Sequence, residues 1–349
     1  MAGESYHKSK QGEHTLKIRE MLKELPGFIR EYFRGISDST EPHTRLGYAH
    51  DLRIFFGFLS KEILDGVAPC DITLEDLAKV SSENIEEFME YLTYYIPKGE
   101  TDIALQNEAR GKSRKLAAVR GLFKYLYKKK RIQANPAELV DFPKIQGRAI
   151  TVLEADEVAR LLDEVESGEK LTPKQKQFHE RTKIRDTAIL TLLLGTGMRV
   201  SECVGLDVNH VDFEISGAKV LRKGGDEMIL YFGNEVEKAL SEYLETRREI
   251  QAAQGHETAL FLSLQNRRIT VRAVQNLVKK YAGLVSSLKN ISPHKLRSTF
   301  GTTLFQETGD IYLVANVLGH ADVNTTRKHY AKMDDTYRRQ ARNAVRLRD

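Results

Sequence analysis

Residues 291–300 read ISPHKLRSTF and form the most informative short segment of this 349-residue chain. Ser292 is suited to cap a helix, and Pro293 is suited to its first position. His294 and Arg297 lie three residues apart, so both side chains share one helix face near the N-terminus. Because a helix N-terminus favours phosphate, the segment predicts a phosphate-binding pair; a helix start with an incidental histidine explains it equally well.

A second arginine follows a glycine turn in LLLGTGMRVSEC, residues 192–203. Gly195 is predicted to be the left-handed residue that ends a helix, and Gly197 to form a tight turn. Arg199 then stands at the start of the next helix. An arginine on the surface of a helix start is the ordinary explanation, so this segment alone is weak support for a site.

The segment GAKVLRKGGDEMILYF, residues 217–232, predicts two short strands joined by a glycine turn. Lys223 lies at the tip of this hairpin, beside Gly224 and Gly225. Lysines are common at exposed tips, and that is the simpler explanation. A lysine at such a tip can also reach a neighbouring groove and donate a proton there.

A helix and a histidine precede the last candidate residue. In DIYLVANVLGHADVNTTRKHY, residues 310–330, Asp310 caps a helix and Gly319 stops it. His320 follows directly, where a histidine can stabilise the helix dipole. Tyr330 is predicted to lie on one more short helix, among basic residues, as a half-buried aromatic, a contact to DNA phosphate or a nucleophile.

The composition is that of a globular protein with a basic bias: 41% of residues are hydrophobic, 30% are charged, the net charge is +5 and the pI is about 8.9. This balance favours a polyanionic partner. The longest apolar stretch is too short to span a bilayer, and the first residues lack the apolar segment of a signal peptide. We therefore expect a soluble, cytoplasmic protein without membrane contact, and its two cysteines fit a reducing compartment.

No metal site is expected from the sequence. The cysteines and histidines do not follow the ligand spacings of zinc sites, and the carboxylate clusters of a two-metal nuclease are not evident. A phosphate site built from arginine, lysine and histidine needs no metal, because these cations themselves stabilise the developing charge.

Two domains are expected from the length and from the change of pattern along the chain. Residues 1–20 predict a mobile arm, residues 21–142 a helical DNA-binding domain, residues 143–149 a linker, and residues 150–349 a mixed domain with a C-terminal tail. Four basic residues of the helical domain are candidates for DNA contact, with a solvated helix face as the alternative: Arg114, Lys115, Arg120 and Lys124.

In order and approximate spacing, the candidates of the second half resemble the active site of the tyrosine site-specific recombinases, especially the Xer-like group: Arg199, Lys223, His294, Arg297, His320 and Tyr330. The resemblance implies an α-helical core-binding (SAM-like) domain and a mixed, mainly α catalytic domain with a small β-sheet. The two domains would close as a C-shaped clamp around double-stranded DNA. It also implies a homo-oligomer, a tetramer on two DNA sites, without cofactor, metal or ATP, and it leaves open a second recombinase as partner.

The resemblance implies roles for four side chains in binding and attacking the phosphate. Arg199 and Arg297 would bind the non-bridging oxygens of the scissile phosphate, which guanidinium groups fit well. Tyr330 would attack and form a covalent 3′-phosphotyrosine. With a pKa of about 10, the phenol is almost wholly protonated at neutral pH, so it needs a base, for which His294 is the candidate.

Three further side chains would assist the reaction. Lys223 would protonate the departing 5′ oxygen, a role that contributes roughly 10²–10⁴-fold. His320 would hydrogen-bond the phosphate or orient the nucleophile. Glu202, one turn after Arg199, would support that arginine.

The spacing of the nucleophile departs from the family pattern by one residue. The family nucleophile usually lies nine residues after the histidine of the LGH motif, and here that position is His329, while Tyr330 is the tenth. One residue of helix means a rotation of about 100°. We expect residues 321–325 to absorb it.

The resemblance implies site-specific recombination, either in chromosome dimer resolution or in integration and excision of mobile elements. A type IB topoisomerase-like enzyme that nicks and reseals DNA is one alternative. A DNA-binding accessory protein without catalysis is another.

Overall fold

The computed structural model describes most of the chain, namely residues 6–96, 104–145, 151–222, 225–286, 289–319 and 323. The chain divides into two compact units, Met1–Gly147 and Arg148–Asp349. Among the described residues the elements are mainly helical, with one small sheet, which confirms the predicted fold class.

The N-terminal unit is a bundle of helices packed on aromatic side chains. Its helices are α1 (Tyr6–Met21), α2 (Ile29–Gly35), α3 (Pro42–Phe58), α4 (Leu74–Ala78), α5 (Ser82–Tyr91) and α6 (Ala109–Lys128). Phe55 of α3 is fully buried, with its ring edge-on to Phe88 of α5 and Phe123 of α6. Burying one such ring contributes roughly 1.5–3 kcal/mol. Capping boxes at Thr73 and Ser81 start α4 and α5.

Helix α1 occupies the segment for which the sequence predicts a mobile arm. Ile18, in its last turn, and Leu22, four residues further on, are buried in the same core as α3. The rest of α1 is mostly polar, so no hydrophobic periodicity marks it as a helix. The prediction therefore differs from the structure over residues 6–20, because two apolar anchors hold a helix whose remaining surface is polar.

The C-terminal unit is built around one long helix. Its elements are α7 (Ala155–Ser167), α8 (Pro173–Thr196), α9 (Val200–Gly205), β1 (Val211–Asp212), β2 (Gly217–Leu221), β3 (Glu227–Tyr231), α10 (Asn234–Glu249), α11 (Val271–Val285), α12 (Pro293–Thr308) and α13 (Ile311–Leu318). Helices α7, α10 and α12 pack against α8, whose residues 188–193 are all buried. An apolar run of this kind is typical of a helix that is covered on every side.

The three strands form one antiparallel sheet in the order β1-β2-β3. Strands β2 and β3 pair from Gly217↔Tyr231 to Leu221↔Glu227, which confirms the predicted hairpin. The turn of this hairpin is where Lys223 lies in the sequence.

The segment ALFLS, residues 259–263, forms isolated bridges with Asp207 and Arg268. Neighbouring segments pair with part of its backbone: the Leu260 N–H donates to the Leu206 carbonyl at 3.0 Å, and the Phe261 carbonyl accepts the Ile269 N–H at 2.9 Å. The hydroxyl of Tyr243 satisfies two further backbone groups. It donates to the carbonyl of Leu260 at 3.0 Å and accepts the N–H of Leu262 at 3.2 Å. The backbone of this buried segment is thus satisfied by neighbouring backbone groups together with a side chain.

Candidate active site

The position of Arg199 is set by the end of α8. Gly197, with φ of 61°, is the left-handed residue that ends this helix, and its N–H donates to the Leu193 carbonyl at 3.1 Å. The sequence predicts this role for Gly195, which instead lies inside α8, where the side chain of Val236 leaves no room for a Cβ. The helix therefore ends two residues later than predicted, and Arg199 still begins α9.

A buried carboxylate holds Arg199. Glu202 is only 3% exposed, and one of its oxygens accepts the backbone N–H of Arg199 at 2.7 Å while the other accepts the guanidinium at 2.7 Å. The first bond caps α9, and the second fixes the direction of the guanidinium. The Arg199 side chain remains 34% exposed, so a phosphate can approach it from solvent.

Arg297 reaches the same place from α12. Arg297 is only 4% exposed, and its guanidinium donates to the Gly197 carbonyl at 2.6 Å and to the Leu318 carbonyl. One side chain therefore joins α12 to the ends of α8 and α13. His294 lies one turn earlier on α12 and is exposed.

The guanidinium groups of Arg199 and Arg297 meet at the end of α13. Arg199 donates to the Gly319 carbonyl at 3.1 Å, one residue after the Leu318 carbonyl that Arg297 binds. The last carbonyls of a helix lack a hydrogen-bond donor within the helix and carry partial negative charge. This explains why cations gather there. The structure thus brings together two residues that are widely separated in the sequence.

A third arginine belongs to this cluster. Arg222, directly after β2, donates to the Val317 carbonyl at 2.6 Å and to the Asn316 carbonyl at 3.4 Å. Burial lowers the pKa of Arg222; of its charged neighbours, Glu202 raises the pKa and Arg199 lowers it. The same carboxylate therefore faces two of the three arginines.

The sequence alone did not single out Arg222. Its place beside Lys223 was the available signal, but a basic residue near a hairpin tip is common on protein surfaces. We call the four side chains the arginine cluster: Arg199, Glu202, Arg222 and Arg297. Three guanidinium groups against one carboxylate leave two positive charges in excess, which suits a phosphodiester.

Three of the predicted site residues, Lys223, His320 and Tyr330, lie outside the described residues. Their roles remain predictions. Two of them are the next residues in the sequence after described ones: Lys223 follows Arg222, and His320 follows Gly319.

The basic candidates of α6 differ in their surroundings. Lys124 is exposed, and the half-exposed Arg114 pairs with the buried Asp51 at 2.5 Å. Arg120 donates to the Glu138 carbonyl at 2.8 Å, so its guanidinium lies at the surface in a fixed direction. These three remain candidates for contact with DNA phosphates.

Lys115 requires a correction, because it is 4% exposed rather than on the surface. It stands four residues before Val119 on the buried face of α6, and its ammonium donates to Asn107 at 2.9 Å and lies 4.0 Å from the Asp51 carboxylate. Burial lowers the pKa of Lys115 and raises the pKa of Asp51 to about 6. Lys115 is therefore a buried cation of the N-terminal unit.

Within the described ranges, no three His, Cys, Asp or Glu side chains gather as a metal-binding group. The helices described here include none whose length and hydropathy would allow it to cross a membrane. Cys203 is buried on α9, where burial raises the pKa of its thiol to about 12, and Cys70 is exposed; neither forms a disulfide.

Comparison with known proteins places the chain in a family. The phage integrase family model matches residues 151–336. A tyrosine recombinase XerC from Pelobacter propionicus is 32% identical over 289 residues, which cover 82% of this chain and 84% of the relative. A tyrosine recombinase XerC from Caldanaerobacter subterraneus subsp. tengcongensis is 32% identical over 340 residues, which cover 94% of this chain and 89% of the relative.

Solved structures share the fold. The XerH site-specific recombinase bound to a palindromic difH substrate matches with a TM-score of 0.61 at 21% identity, over 87% of this chain and 80% of that one. A lambda integrase dimer bound to a COC′ core site matches with a TM-score of 0.61 at 15% identity, over 86% and 93%. The family resemblance is thereby confirmed: the chain belongs to the phage integrase family and is a tyrosine recombinase, a DNA strand transferase of site-specific recombination.

Proposed function

We propose that Tyr330 attacks a scissile phosphate that is held by Arg199 and Arg297. The observation that carries this proposal is the convergence of Arg199 and Arg297 on the consecutive carbonyls of Leu318 and Gly319. Guanidinium groups bind phosphate through paired N–H donors. Their positive charge also stabilises the negative charge that grows on the phosphate oxygens during attack.

The chemistry is a pair of transesterifications. The phenol of Tyr330 gives its proton to His294 as its oxygen bonds to phosphorus, while His320 hydrogen-bonds the phosphate. The bond from phosphorus to the 5′ oxygen breaks, and Lys223 gives that oxygen a proton. The reverse sequence, with the 5′ hydroxyl of another strand, restores the phosphodiester, and because the phosphotyrosine keeps the bond energy, neither ATP nor a metal is needed.

Double-stranded DNA is the proposed partner of both units. Arg114, Arg120 and Lys124 of α6 would each neutralise a phosphate and release counterions, so the affinity for DNA should fall steeply with salt. Strand exchange joins two DNA sites, for which a homotetramer is the working assembly.

The names of the XerC relatives favour a cytoplasmic role in chromosome dimer resolution, and so in chromosome partition at cell division, with a second recombinase as the candidate partner. Integration or excision of a mobile element is the second candidate, favoured by the phage integrase family match. These relatives do not favour the topoisomerase-like or the accessory-protein alternative. Recovery and sequencing of the DNA that is covalently attached to the protein in cells would distinguish chromosome dimer sites from mobile-element ends.

A nicked DNA carrying the recovered site tests the nucleophile. Cleavage next to the nick releases a short fragment and traps the covalent product. The wild-type protein is expected to form a protein–DNA adduct that survives denaturation, and Tyr330→Phe is expected to form none. Tyr337→Phe, at the next tyrosine, is the control and should form the adduct; an adduct with Tyr330→Phe would show that another residue attacks.

A further inference from the structure

Arg222 lies where two segments of the site meet. Its backbone N–H donates to the Asp226 carbonyl at 2.8 Å, and its own carbonyl accepts the Gly225 N–H at 3.1 Å. Arg222 is thus the residue that ties the two sides of the β2–β3 turn together. Its side chain then leaves the hairpin and donates to the carbonyls of Val317 and Asn316 in α13.

The contact between Arg222 and α13 is a close fit. Gly319 ends α13 with φ of 61°, and a Cβ at that position would overlap the Arg222 guanidinium. Left-handed helix ends usually take glycine and sometimes asparagine, and here any side chain at position 319 would require the Arg222 guanidinium to move. The Nε of Arg222 is buried and has no hydrogen-bond partner among the described residues, so the anchor depends on the two terminal nitrogens.

We propose that Arg222 is a positioning residue for proton transfer to the leaving 5′ oxygen. Lys223 follows Arg222 directly, and His320 follows Gly319 directly. The bonds from Arg222 to α13 therefore join the described residue that precedes Lys223 in the chain to the helix whose end precedes His320. The inference rests on the proposed role of Lys223, whose ammonium gives one proton to the 5′ oxygen as the bond between that oxygen and phosphorus breaks.

Two DNA substrates that differ in one atom test this role. One carries the ordinary 5′ oxygen at the scissile bond, and the other carries a 5′ sulfur. A thiol has a pKa of about 8.5, so a thiolate leaves without a proton and the acid becomes dispensable. Single-turnover cleavage at saturating protein is measured for the wild type and for Arg222→Gln, Arg222→Lys and Lys223→Ala.

Arg222→Gln is expected to cleave the ordinary DNA roughly 10- to 100-fold more slowly, and to return to within about threefold of the wild type on the sulfur substrate. Arg222→Lys can reach one carbonyl, so its cleavage rate on the ordinary DNA should lie between those of Arg222→Gln and the wild type. Arg248→Gln removes an exposed arginine of α10 and is the matched control, with wild-type cleavage of both substrates. Thermal unfolding is measured for each variant to show that it is folded, and saturating protein makes the cleavage rate independent of DNA affinity.

Three outcomes would overturn the proposal. In the first, the cleavage rate of Arg222→Gln falls equally on both substrates while the sulfur substrate restores the rate of Lys223→Ala. Arg222 then contacts the phosphate or supports the fold, and only the positioning role fails. If Arg222→Gln cleaves ordinary DNA at the wild-type rate, Arg222 has no role. If sulfur does not rescue Lys223→Ala, the acid assignment fails and the positioning role fails with it.

Discussion

The bond between Glu202 and Arg199 offers a sharp test of the arginine cluster. Glu202→Gln keeps the shape of the side chain and one oxygen acceptor, but it replaces the other acceptor with an amide donor. One charge-assisted hydrogen bond contributes roughly 1.5–3 kcal/mol, and about 1.4 kcal/mol corresponds to a factor of ten in rate. Because this bond aims the Arg199 guanidinium, we expect cleavage to be about 10- to 100-fold slower.

Helix α7 provides a matched control at Glu157. This residue also stands at the third position of its helix, accepts the N–H of Glu154 at 2.8 Å and pairs with Lys289 at 2.5 Å. Glu157→Gln therefore loses a comparable capping and charge interaction without altering a partner of Arg199. We expect it to lose roughly 0.5–2 kcal/mol of unfolding free energy and to cleave DNA like the wild type.

The assay is single-turnover formation of the covalent adduct at saturating protein, with denaturant unfolding measured in parallel. The reasoning would be refuted if folded Glu202→Gln formed the adduct at the wild-type rate. It would equally be refuted if Glu157→Gln were slowed as much, since the loss would then come from weakened helix starts.

Three further changes probe the surroundings of the site and the N-terminal core. Arg297→Lys keeps the charge but loses the paired bonds to two carbonyls, so adduct formation should be roughly 10- to 100-fold slower; a wild-type rate would contradict the geometry. Gly197→Ala puts a Cβ against an aromatic ring at a residue with positive φ, so the free energy of unfolding, measured with denaturant, should fall by ~1–3 kcal/mol. A Cβ at Gly233 faces open space, so Gly233→Ala should lower it by less. Burial raises the pKa of Asp51 to about 6, so the folded protein holds this proton more tightly than the unfolded chain, and the stability it contributes is lost as pH rises through about 6. Relative to Asp51→Asn, the free energy of unfolding should fall by ~2 kcal/mol between about pH 4 and pH 7, and a constant difference would contradict the assignment.

The local parts of the catalytic unit could be predicted because a few neighbouring residues specify each of them. Pro293 occupies the first position of α12, Asp310 caps α13 and Gly319 stops it, all as predicted from the sequence. The glycine turn of residues 217–232 likewise specifies its hairpin. In each case the signal and the structure lie within one or two turns of chain.

The convergence of the arginines could not be predicted in this way, because their acceptors are distant in sequence. Arg297 binds the Gly197 carbonyl across 100 residues, and Arg199 binds the Gly319 carbonyl across 120. These contacts depend on how α8, α12 and α13 pack. For Arg222, a residue that resembles any surface arginine, only its partners in the fold reveal a role.

The incorrect assignment of Lys115 has a different origin. Lysines are normally exposed, so the charge of Lys115 led to the prediction of a surface residue despite its position on an apolar face of the helix. Its spacing to Val119, Leu122 and Leu126 follows the buried face of α6, and this periodicity was available in the sequence. A cation on an apolar stripe predicts a buried partner, which here includes Asp51.

Arg199 and Arg297 bind the carbonyls at the end of α13, and that helix end is therefore coupled to the proposed phosphate site. A ligand that competes with the Leu318 and Gly319 carbonyls for these two guanidinium groups weakens the attachment of α13. Because the two contacts compete, a substitution that loosens α13 also changes the affinity for that ligand. Sequence changes within residues 311–318, none of which is a proposed phosphate ligand, would therefore register as altered DNA binding.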